Sequence, residues 1–414
     1  MKDAIFAWID NAESLAVELE TELTKRPAVS PDSGGEGELD KCNFLESWLK
    51  AHGITQLERF DAPDSRAKGG VRPNLIATIP GSAGGTEGRL WIISHLDVVP
   101  PGELSHWKTD PWTAVEANDP PGRRLIGRGV EDNQQGLTSS VLAALAFTKL
   151  GLQPRRTVKL LFAADEETGS VLGVDWLLKN HGGLFQKNDT ALIPDSGDKR
   201  GEGIEIAEKN LIWARFVTKG AQTHGSRPDL GANAHLAGAE LAVQLHYRLS
   251  EKFGGRDDLF EPDYSTFQPT KKEANVPNIN TIPGEDVFCM DMRVLPCYPI
   301  TMVLGEIDRI RDEIAAKHKV TIDYSLAQAN ESPATSADSP LVQSLSAAIG
   351  EVYGVKSRPI GVGGGTVAAF LRRRLGIDCA VWARLGDSAH QPNEYVLLDS
   401  ILGDAKVMAL MMQL

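Results

Sequence analysis

Three short apolar runs, each followed at once by histidine or acidic residues, constrain the fold of this chain more than any other feature. The runs and the polar residues after them are 89–94 with His95, 157–164 with Glu166 and Glu167, and 191–193 with Asp195. Short apolar, β-rich runs bounded by turn residues are typical of fully buried strands. Because such strands alternate with helical segments here, we predict an α/β sheet that gathers these side chains at its carboxyl edge.

The remaining patterns predict two domains. A chain of 414 residues exceeds the size at which one hydrophobic core usually stops growing. Helical spacing predicts helices over residues 3–26, 39–52 and 137–150. From about residue 208 the pattern changes to a β-α-β-α-β series, which predicts a small α+β domain over 209–326. Residues 1–208 and 327–414 then form one discontinuous larger domain.

Composition excludes several classes of partner. The formal net charge of -13 makes nucleic acid and anionic membrane surfaces poor partners, because both require a basic face. Eighteen consecutive apolar residues occur nowhere, and the N-terminus lacks the features of a signal peptide, so we expect a cytoplasmic protein. The four cysteines have no C-x-x-C spacing. Any bound metal is therefore expected to have nitrogen and oxygen ligands.

His95 and the acids after the second run are the first candidates for metal chemistry. His95 and Asp97 are two residues apart at a strand end, so their side chains share a face, and Asp97 can accept the second imidazole N–H. A buried histidine satisfied by its neighbour is the alternative. Asp165, Glu166 and Glu167 would repel one another without a compensating cation. In the functional interpretation, one of the two adjacent glutamates is a metal ligand and the other is a general base. In the alternative interpretation, the three acids form a solvated acidic loop.

Three further candidates are weak singly. Asp132 lies in a Gly-bounded turn before a helix, where a helix-capping role is equally expected. Asp195 alone is more typical of a turn, and His390 alone of a surface loop. Together with the first set they supply the imidazole and carboxylate ligands that one or two zinc ions require.

Five ordered motifs carry a family resemblance over nearly the whole chain. They are S-H-L-D-V-V-P from Ser94, G-R-G-V-E-D from Gly127, A-D-E-E-T-G-S from Ala164, P-D-S-G from Pro194 and H-Q-P-N-E from His390. In this order they resemble the dinuclear zinc hydrolases of the aminoacylase family, which includes succinyl-diaminopimelate desuccinylase, acetylornithine deacetylase, glutamate carboxypeptidase and dipeptidases. The resemblance implies a zinc-peptidase-like domain with a mixed sheet flanked by helices, and an inserted ferredoxin-like dimerisation or lid domain.

The resemblance also implies roles for the candidates and two zinc ions per chain, although carboxylate-rich sites accept manganese or cobalt as well. Asp132 would bridge both ions, His95 and Asp195 would complete one set, and Glu167 and His390 the other. Glu166 would be the general base that takes a proton from water and passes it to the leaving nitrogen, and Asp97 would support His95.

Positions after residue 208 resemble the family as well. His224 resembles a histidine that reaches the neighbouring subunit's site in a homodimer, with an ordinary loop histidine as the alternative. Asn280 and Arg293 resemble substrate contacts, and Arg293 suits bidentate capture of a carboxylate. Gly364 and Thr366 lie in a Gly-rich segment without the Lys-Ser/Thr of a phosphate loop, which we interpret as the substrate loop near His390.

Two departures keep the substrate open. Asp195 stands where the deacylases and carboxypeptidases usually have Glu, and Asp there resembles the dipeptidase and aminopeptidase branch. Asn133 and Gln134 replace a pair that is usually Asp or Met followed by Lys. The sequence therefore predicts hydrolysis of an amide in an N-acyl amino acid or a short peptide. Within the enzyme hypothesis, the chain could be a dipeptidase or aminopeptidase, or it could be a desuccinylase or deacetylase. The alternative from another class is a non-catalytic, metal-dependent scaffold or small-molecule binding protein of the same fold.

Overall fold

The computed structural model describes residues 1–83 and 87–413. The α-helices are α1 Lys2–Asp10, α2 Glu13–Thr24, α3 Leu39–His52, α4 Gly136–Leu150, α5 Val174–Asn180, α6 Ala234–Lys252, α7 Ile300–His318, α8 Pro340–Tyr353, α9 Val367–Leu375 and α10 Leu398–Gln413. The strands are β1 Leu57–Pro63, β2 Val71–Ile79, β3 Leu90–His95, β4 Val115–Asp119, β5 Gly122–Ile126, β6 Val158–Ala163, β7 Thr190–Asp198, β8 Gly203–Glu208, β9 Asn210–Lys219, β10 Thr223–His224, β11 Thr266–Lys272, β12 Thr281–Ile282, β13 Glu285–Val294, β14 Thr321–Asn330, β15 Arg358–Val362, β16 Cys379–Arg384 and β17 Tyr395–Leu397.

The chain forms two compact units. One comprises Met1–Ile206, Thr335–Ile360 and Thr366–Leu414, and the other comprises Ala207–Ala334 with Gly361–Gly365. The domain boundary at 209–326 stays a prediction, since compactness does not test independent folding.

An eight-stranded sheet organises the first unit in the order β1-β2-β6-β3-β7-β16-β8-β15. β3 pairs in parallel with β6 and β7, and β7 with β16, whereas β1 with β2 and β2 with β6 are antiparallel. Every residue of β3 is buried, because α5 and α9 cover one face of the sheet and α4 and α10 lie on the other. The predicted α/β class with a mixed sheet flanked by helices is confirmed.

The second unit contains a four-stranded antiparallel sheet in the order β11-β13-β9-β14. The succession β9-α6-β11-β13-α7-β14 is the one found in ferredoxin-like sheets. Alternate residues of β9, among them Ile212 and Phe216, pack with Leu241, Leu245 and Ile307 of the two helices. β11 has no counterpart in the sequence-based series, because its burial pattern is mostly exposed and its apolar signal is weak.

The predicted opening helix over 3–26 is two helices. α1 ends at Asp10 and α2 begins at Glu13, so the chain leaves the helical path at Asn11 and Ala12. Ile5 and Ile9 of α1, and Leu19 and Leu23 of α2, are buried all the same. Periodicity of the apolar residues therefore survives the break and conceals it. Among the described residues, no helix combines the length and apolar character needed to cross a bilayer.

Candidate metal centre

Three adjacent parallel strands place the first group of candidates at one edge of the sheet. His95 is the last residue of β3, Glu166 and Glu167 follow β6, and Asp195 lies in β7. Because β6, β3 and β7 are neighbours and run in parallel, their carboxyl ends meet. The His95 Nε2 atom lies 3.3 Å from the Asp195 Oδ1 atom.

Asp132 lies between two imidazoles. It belongs to the turn Val130–Gln135, which follows Gly129 in the left-handed region (φ 84°) and leads into α4. Its Oδ1 atom lies 3.0 Å from His95 Nε2, and its Oδ2 atom lies 3.0 Å from His390 Nε2. Each carboxylate oxygen therefore faces a different histidine, which is the arrangement required of a ligand shared by two ions.

His390 reaches this point from the loop between β16 and β17. Its Nε2 atom also lies 3.1 Å from Glu167 Oε2, and its side chain is half-exposed. Two donor sets result, His95 with Asp195 and His390 with Glu167, and Asp132 belongs to both. The family resemblance implies the same groupings for the metal ligands, and the ligand role of these residues stays a prediction.

The donor atoms fit metal ions. The Oε1 atom of Glu167 is buried and has no hydrogen-bond partner among the described residues. Donor atoms of His95, Asp132 and Glu167, and of His95, Glu166 and Asp195, lie within 4.8 Å of one another. An imidazole and carboxylate set of this kind suits zinc, and also manganese or cobalt.

The surrounding carboxylates favour the protonated, positively charged form of both histidines. Burial opposes protonation of His95, but Asp195 and Asp132 outweigh it and raise the pKa of the imidazole well above its usual value. Hydrogen bonds to Asp132 and Glu167 raise the pKa of His390 to about 10. Burial opposes ionisation of Asp132, but its bonds to His390 and His95 lower its pKa. The site thus favours positive charge among these carboxylates, which bound cations supply in place of protons.

Glu166 stands beside the ligands, and its carboxylate makes no hydrogen bond to any described residue. Burial and the neighbouring Asp195 raise the pKa of Glu166 well above its usual value. The Glu166 N–H donates to Asp97 Oδ1 at 3.0 Å, and the Glu167 N–H donates to Asp97 Oδ2 at 3.0 Å. Asp97 therefore holds the turn that carries both glutamates.

The contact between His95 and Asp97 differs in detail from the expectation. His95 Nδ1 lies 3.0 Å from the backbone carbonyl oxygen of Asp97, whereas the Asp97 Oδ1 atom is 3.5 Å away. The carboxylate is occupied by the backbone N–H groups of the glutamate turn instead. The backbone carbonyl thus orients the imidazole, and the side chain orients the turn.

Sequence reasoning missed a buried ion cluster behind this turn. Arg72 is fully buried; its Nε atom donates to Glu38 Oε2 at 2.7 Å, and its Nη1 atom lies 3.1 Å from Asp165 Oδ1. Glu38 Oε1 accepts the Asp165 N–H at 3.3 Å. Asn74 Oδ1 accepts the Ala164 N–H at 3.1 Å. The signal was the polar Arg72-Pro73-Asn74 segment at the start of an otherwise apolar strand.

Asn133, noted in the sequence only as a departure from the family, holds Asp195 in place. Its Nδ2 atom donates to Asp195 Oδ1 at 2.8 Å and to the Pro194 carbonyl at 2.6 Å. Its Oδ1 atom accepts the His95 N–H at 3.3 Å. The residue after the shared carboxylate therefore connects the two strands that carry the first donor set.

The remaining candidates belong to other places. His224 and Asn280 lie together in the second unit, where β10 pairs with β12 and the Gly225 N–H donates to the Asn280 carbonyl at 2.7 Å. His224 is exposed, and its Nδ1 atom accepts the Ser226 N–H at 3.0 Å. Ser226 therefore occupies the Nδ1 side of the His224 ring.

Arg293 and the Gly-rich segment form a second group. Arg293 donates to both Asp291 oxygens, at 2.8 and 2.9 Å, and to the Gly363 carbonyl at 2.7 Å, next to Gly364. Thr366 caps α9 in the first unit, where its hydroxyl accepts the Ala368 N–H at 3.2 Å. The Asp291 carboxylate already accepts hydrogen bonds from the Arg293 guanidinium, which we expected to bind a substrate carboxylate.

Comparison with known proteins gives concordant results. The model of peptidase family M20/M25/M40 matches residues 91–414. A metallohydrolase of Methanococcus maripaludis is 36% identical over 409 residues, which cover 94% of this chain and 97% of that protein. The succinyl-diaminopimelate desuccinylase of Bordetella petrii is 26% identical over 394 residues, 94% of this chain and 95% of the enzyme. The aminopeptidase PepT structure from Bacillus cereus superposes with a TM-score of 0.78 at 17% identity, over 97% and 98% of the two chains.

Proposed function

The chain belongs to peptidase family M20/M25/M40, as a metallohydrolase, and from that premise we propose that it uses two metal ions to hydrolyse one amide bond. The substrate that we propose is an N-acyl amino acid or a short peptide with a free carboxylate. Zinc is the proposed metal, since the ligands are imidazole and carboxylate.

The observation that carries this proposal is the position of Asp132. Its two oxygens face His95 and His390 at 3.0 Å each, and each histidine has its own additional carboxylate, Asp195 or Glu167. A single-ion site would not need a carboxylate directed to both sides.

Glu166 is the proposed general base. The proposed ligands would hold divalent cations, which would supply Lewis acidity and lower the pKa of a water molecule. The Glu166 carboxylate makes no hydrogen bond to a described residue and lies beside the proposed ligands. It would take a proton from the water as the water oxygen bonds to the amide carbon, and it would give that proton to the nitrogen as the C–N bond breaks. Asp97 keeps this carboxylate in place through the backbone N–H of its turn.

The substrate class is supported from two sides. Bordetella petrii succinyl-diaminopimelate desuccinylase resembles the chain over nearly its full length, which supports an acyl amino acid. The Asp at position 195 and the fold shared with an aminopeptidase support a short peptide. Both kinds of substrate offer an amide and a carboxylate, so we propose this shared chemistry and leave the choice to a direct comparison of substrates.

We also propose that the protein is a homodimer that associates through the second unit. Helix α6 exposes Leu236, Val243 and Tyr247, which share one face because they are 7 and 4 residues apart in sequence. Between 51% and 67% of the surface of each residue is accessible. An apolar stripe of this kind on one face of a helix is typical of an association surface. Association there would give the exposed His224 a neighbouring subunit to act on.

The test is hydrolysis of N-succinyl, N-acetyl and dipeptide substrates with zinc, manganese or cobalt, by the native protein and by Glu166→Gln. The variant preserves shape but cannot accept the proton, so turnover should fall by about 10²-fold to 10⁴-fold or more. Metal content should stay near two per chain, which separates loss of the base from loss of the site. A Glu166→Gln protein with full turnover would refute the role of Glu166, and a native protein without hydrolysis of any of these substrates would refute the proposed function.

A further inference from the structure

Two loops of the first unit that carry ligands are tied to each other by two buried carboxylates. One loop, residues 127–132, carries Asp132, and the other, residues 386–394, carries His390. Glu131 on the first loop bonds the second, and Glu394 on the second bonds the first.

Glu394 holds the loop of Asp132. Its Oε1 atom accepts the N–H groups of Glu131 and Asp132, both at 3.0 Å. Its Oε2 atom accepts the Gly129 N–H at 3.1 Å and an Arg128 Nη1 proton at 2.5 Å. Four donors therefore converge on one fully buried carboxylate, which fixes the backbone that leads up to and includes Asp132.

Glu131 holds the loop of His390. Its Oε2 atom accepts the Ser388 N–H at 2.6 Å and the Ser388 hydroxyl at 2.5 Å, and its Oε1 atom accepts the Gly386 N–H. A Cβ at Gly386 would approach Glu131 Oε1 to 3.0 Å and the Tyr395 ring to 2.9 Å. A side chain at residue 386 would therefore crowd the Glu131 carboxylate and the Tyr395 ring.

The loop of His390 needs such support. Asp387, His390 and Asn393 all have positive φ, between 61° and 66°, which non-glycine residues adopt at a cost. The His390 side chain is half-exposed, so packing contributes little to its orientation. His95, by contrast, is buried and pairs with Ala163 in the parallel ladder of β3 with β6. The two histidines are thus held by different means.

We propose that Glu131 is a positioning residue that sets the affinity of one ion only, the ion held by His390 and Glu167; this role rests on the proposed two-ion function. Glu394 acts on the shared ligand Asp132 and so on both ions. The reason is the direction of the bonds: Glu131 bonds the 386–388 backbone, which leads directly to His390, and makes no hydrogen bond to His95 or Asp195 among the described residues.

The test is zinc titration of protein stripped with EDTA, read by competition with a chromophoric chelator and by elemental analysis. Glu131→Ala should lower the affinity for the second, more weakly bound zinc by about ten- to a hundred-fold, which is the range found when groups that orient metal ligands are removed. The affinity for the first zinc should change by less than about threefold. Glu394→Ala should weaken both. Ser388→Ala removes one donor to Glu131 and should show the same selectivity with a smaller change.

Asp189→Ala is the matched control. Asp189 is also a buried carboxylate that accepts two backbone N–H groups, from Arg89 and Gln186, and an arginine side chain, but it lies at the opposite ends of the strands. It should lower stability and leave both zinc affinities unchanged. If the native protein binds fewer than two zinc ions, the proposed function is overturned. If it binds two and Glu131→Ala and Ser388→Ala weaken both equally, or neither, the proposed function stands and the role of Glu131 is wrong.

Discussion

Replacement of Arg72 by methionine tests the ion cluster behind the glutamate turn. The arginine and its partner Glu38 are both fully buried, and Asp165 lies 3.1 Å from the guanidinium. Burial raises the pKa of Glu38, and the bonds from Arg72 oppose that shift. Methionine fills most of the volume of the aliphatic part of the arginine side chain but leaves Glu38 without its cation. Removal of one partner of a buried ion pair is strongly destabilising because the other charge stays buried and unpaired.

The magnitude is limited because Glu38 can take up a proton. An isolated glutamate has a pKa of 4.5, and pH 7 lies about 2.5 units above it. At about 1.4 kcal/mol per unit, protonation of the buried carboxyl at pH 7 costs at most about 3.5 kcal/mol, and at pH 5 about 0.7 kcal/mol. Without Arg72 the folded pKa of Glu38 rises further above the unfolded one, so the folded variant binds more of the extra proton and its stability relative to the native protein falls as pH rises.

The assay is urea unfolding between pH 5 and pH 8, followed by tryptophan fluorescence. Arg72→Met should lose about 3 kcal/mol at pH 7 and less than about 1 kcal/mol at pH 5 relative to the native protein. The double variant with Glu38→Gln should lose this pH dependence. Arg66→Met is the control, because Arg66 also pairs with a carboxylate but is exposed, and its midpoint should hardly move. A loss that is the same at all pH values would refute the reasoning.

Two predictions concern assembly and metal. His224→Ala should lower kcat more than it raises KM. Mixing this variant with Glu166→Gln subunits should restore part of the activity, because one of the two sites in a mixed dimer then has both native residues. Activity assays after subunit exchange measure this recovery, and its absence would mean that His224 is an ordinary loop residue. Removal of metal with EDTA should lower the melting temperature and added zinc should restore it, because a ligand at a hundred times its Kd stabilises the folded state by about 2.7 kcal/mol. Calorimetry measures the change. Equal melting temperatures with and without zinc would contradict a metal site that forms in the folded protein.

The sequence located the strand ends because their pattern is local. A buried strand is a continuous apolar run, and the polar residues that follow it are visible without the fold, as at His95 and Glu166. The expectation that Asp195 ends its strand was wrong, because β7 continues through Asp195 to Asp198. Sequence patterns did not reveal the break at Asn11 in the opening helix, because the apolar period continues across it. Nor did they reveal β11, which lies at an edge and exposes most of its residues.

By itself, the sequence determined the α/β class, the family and the set of residues that converge on one edge of the sheet. The parallel order of strands makes their carboxyl ends meet, whatever the side chains do. Only the tertiary structure decided how that set is held: Asn133 against Asp195, Arg72 against Asp165, and Glu131 and Glu394 across two loops more than 250 residues apart in sequence. Such contacts depend on the distance between folded segments, and neither periodicity nor spacing along the chain contains that distance.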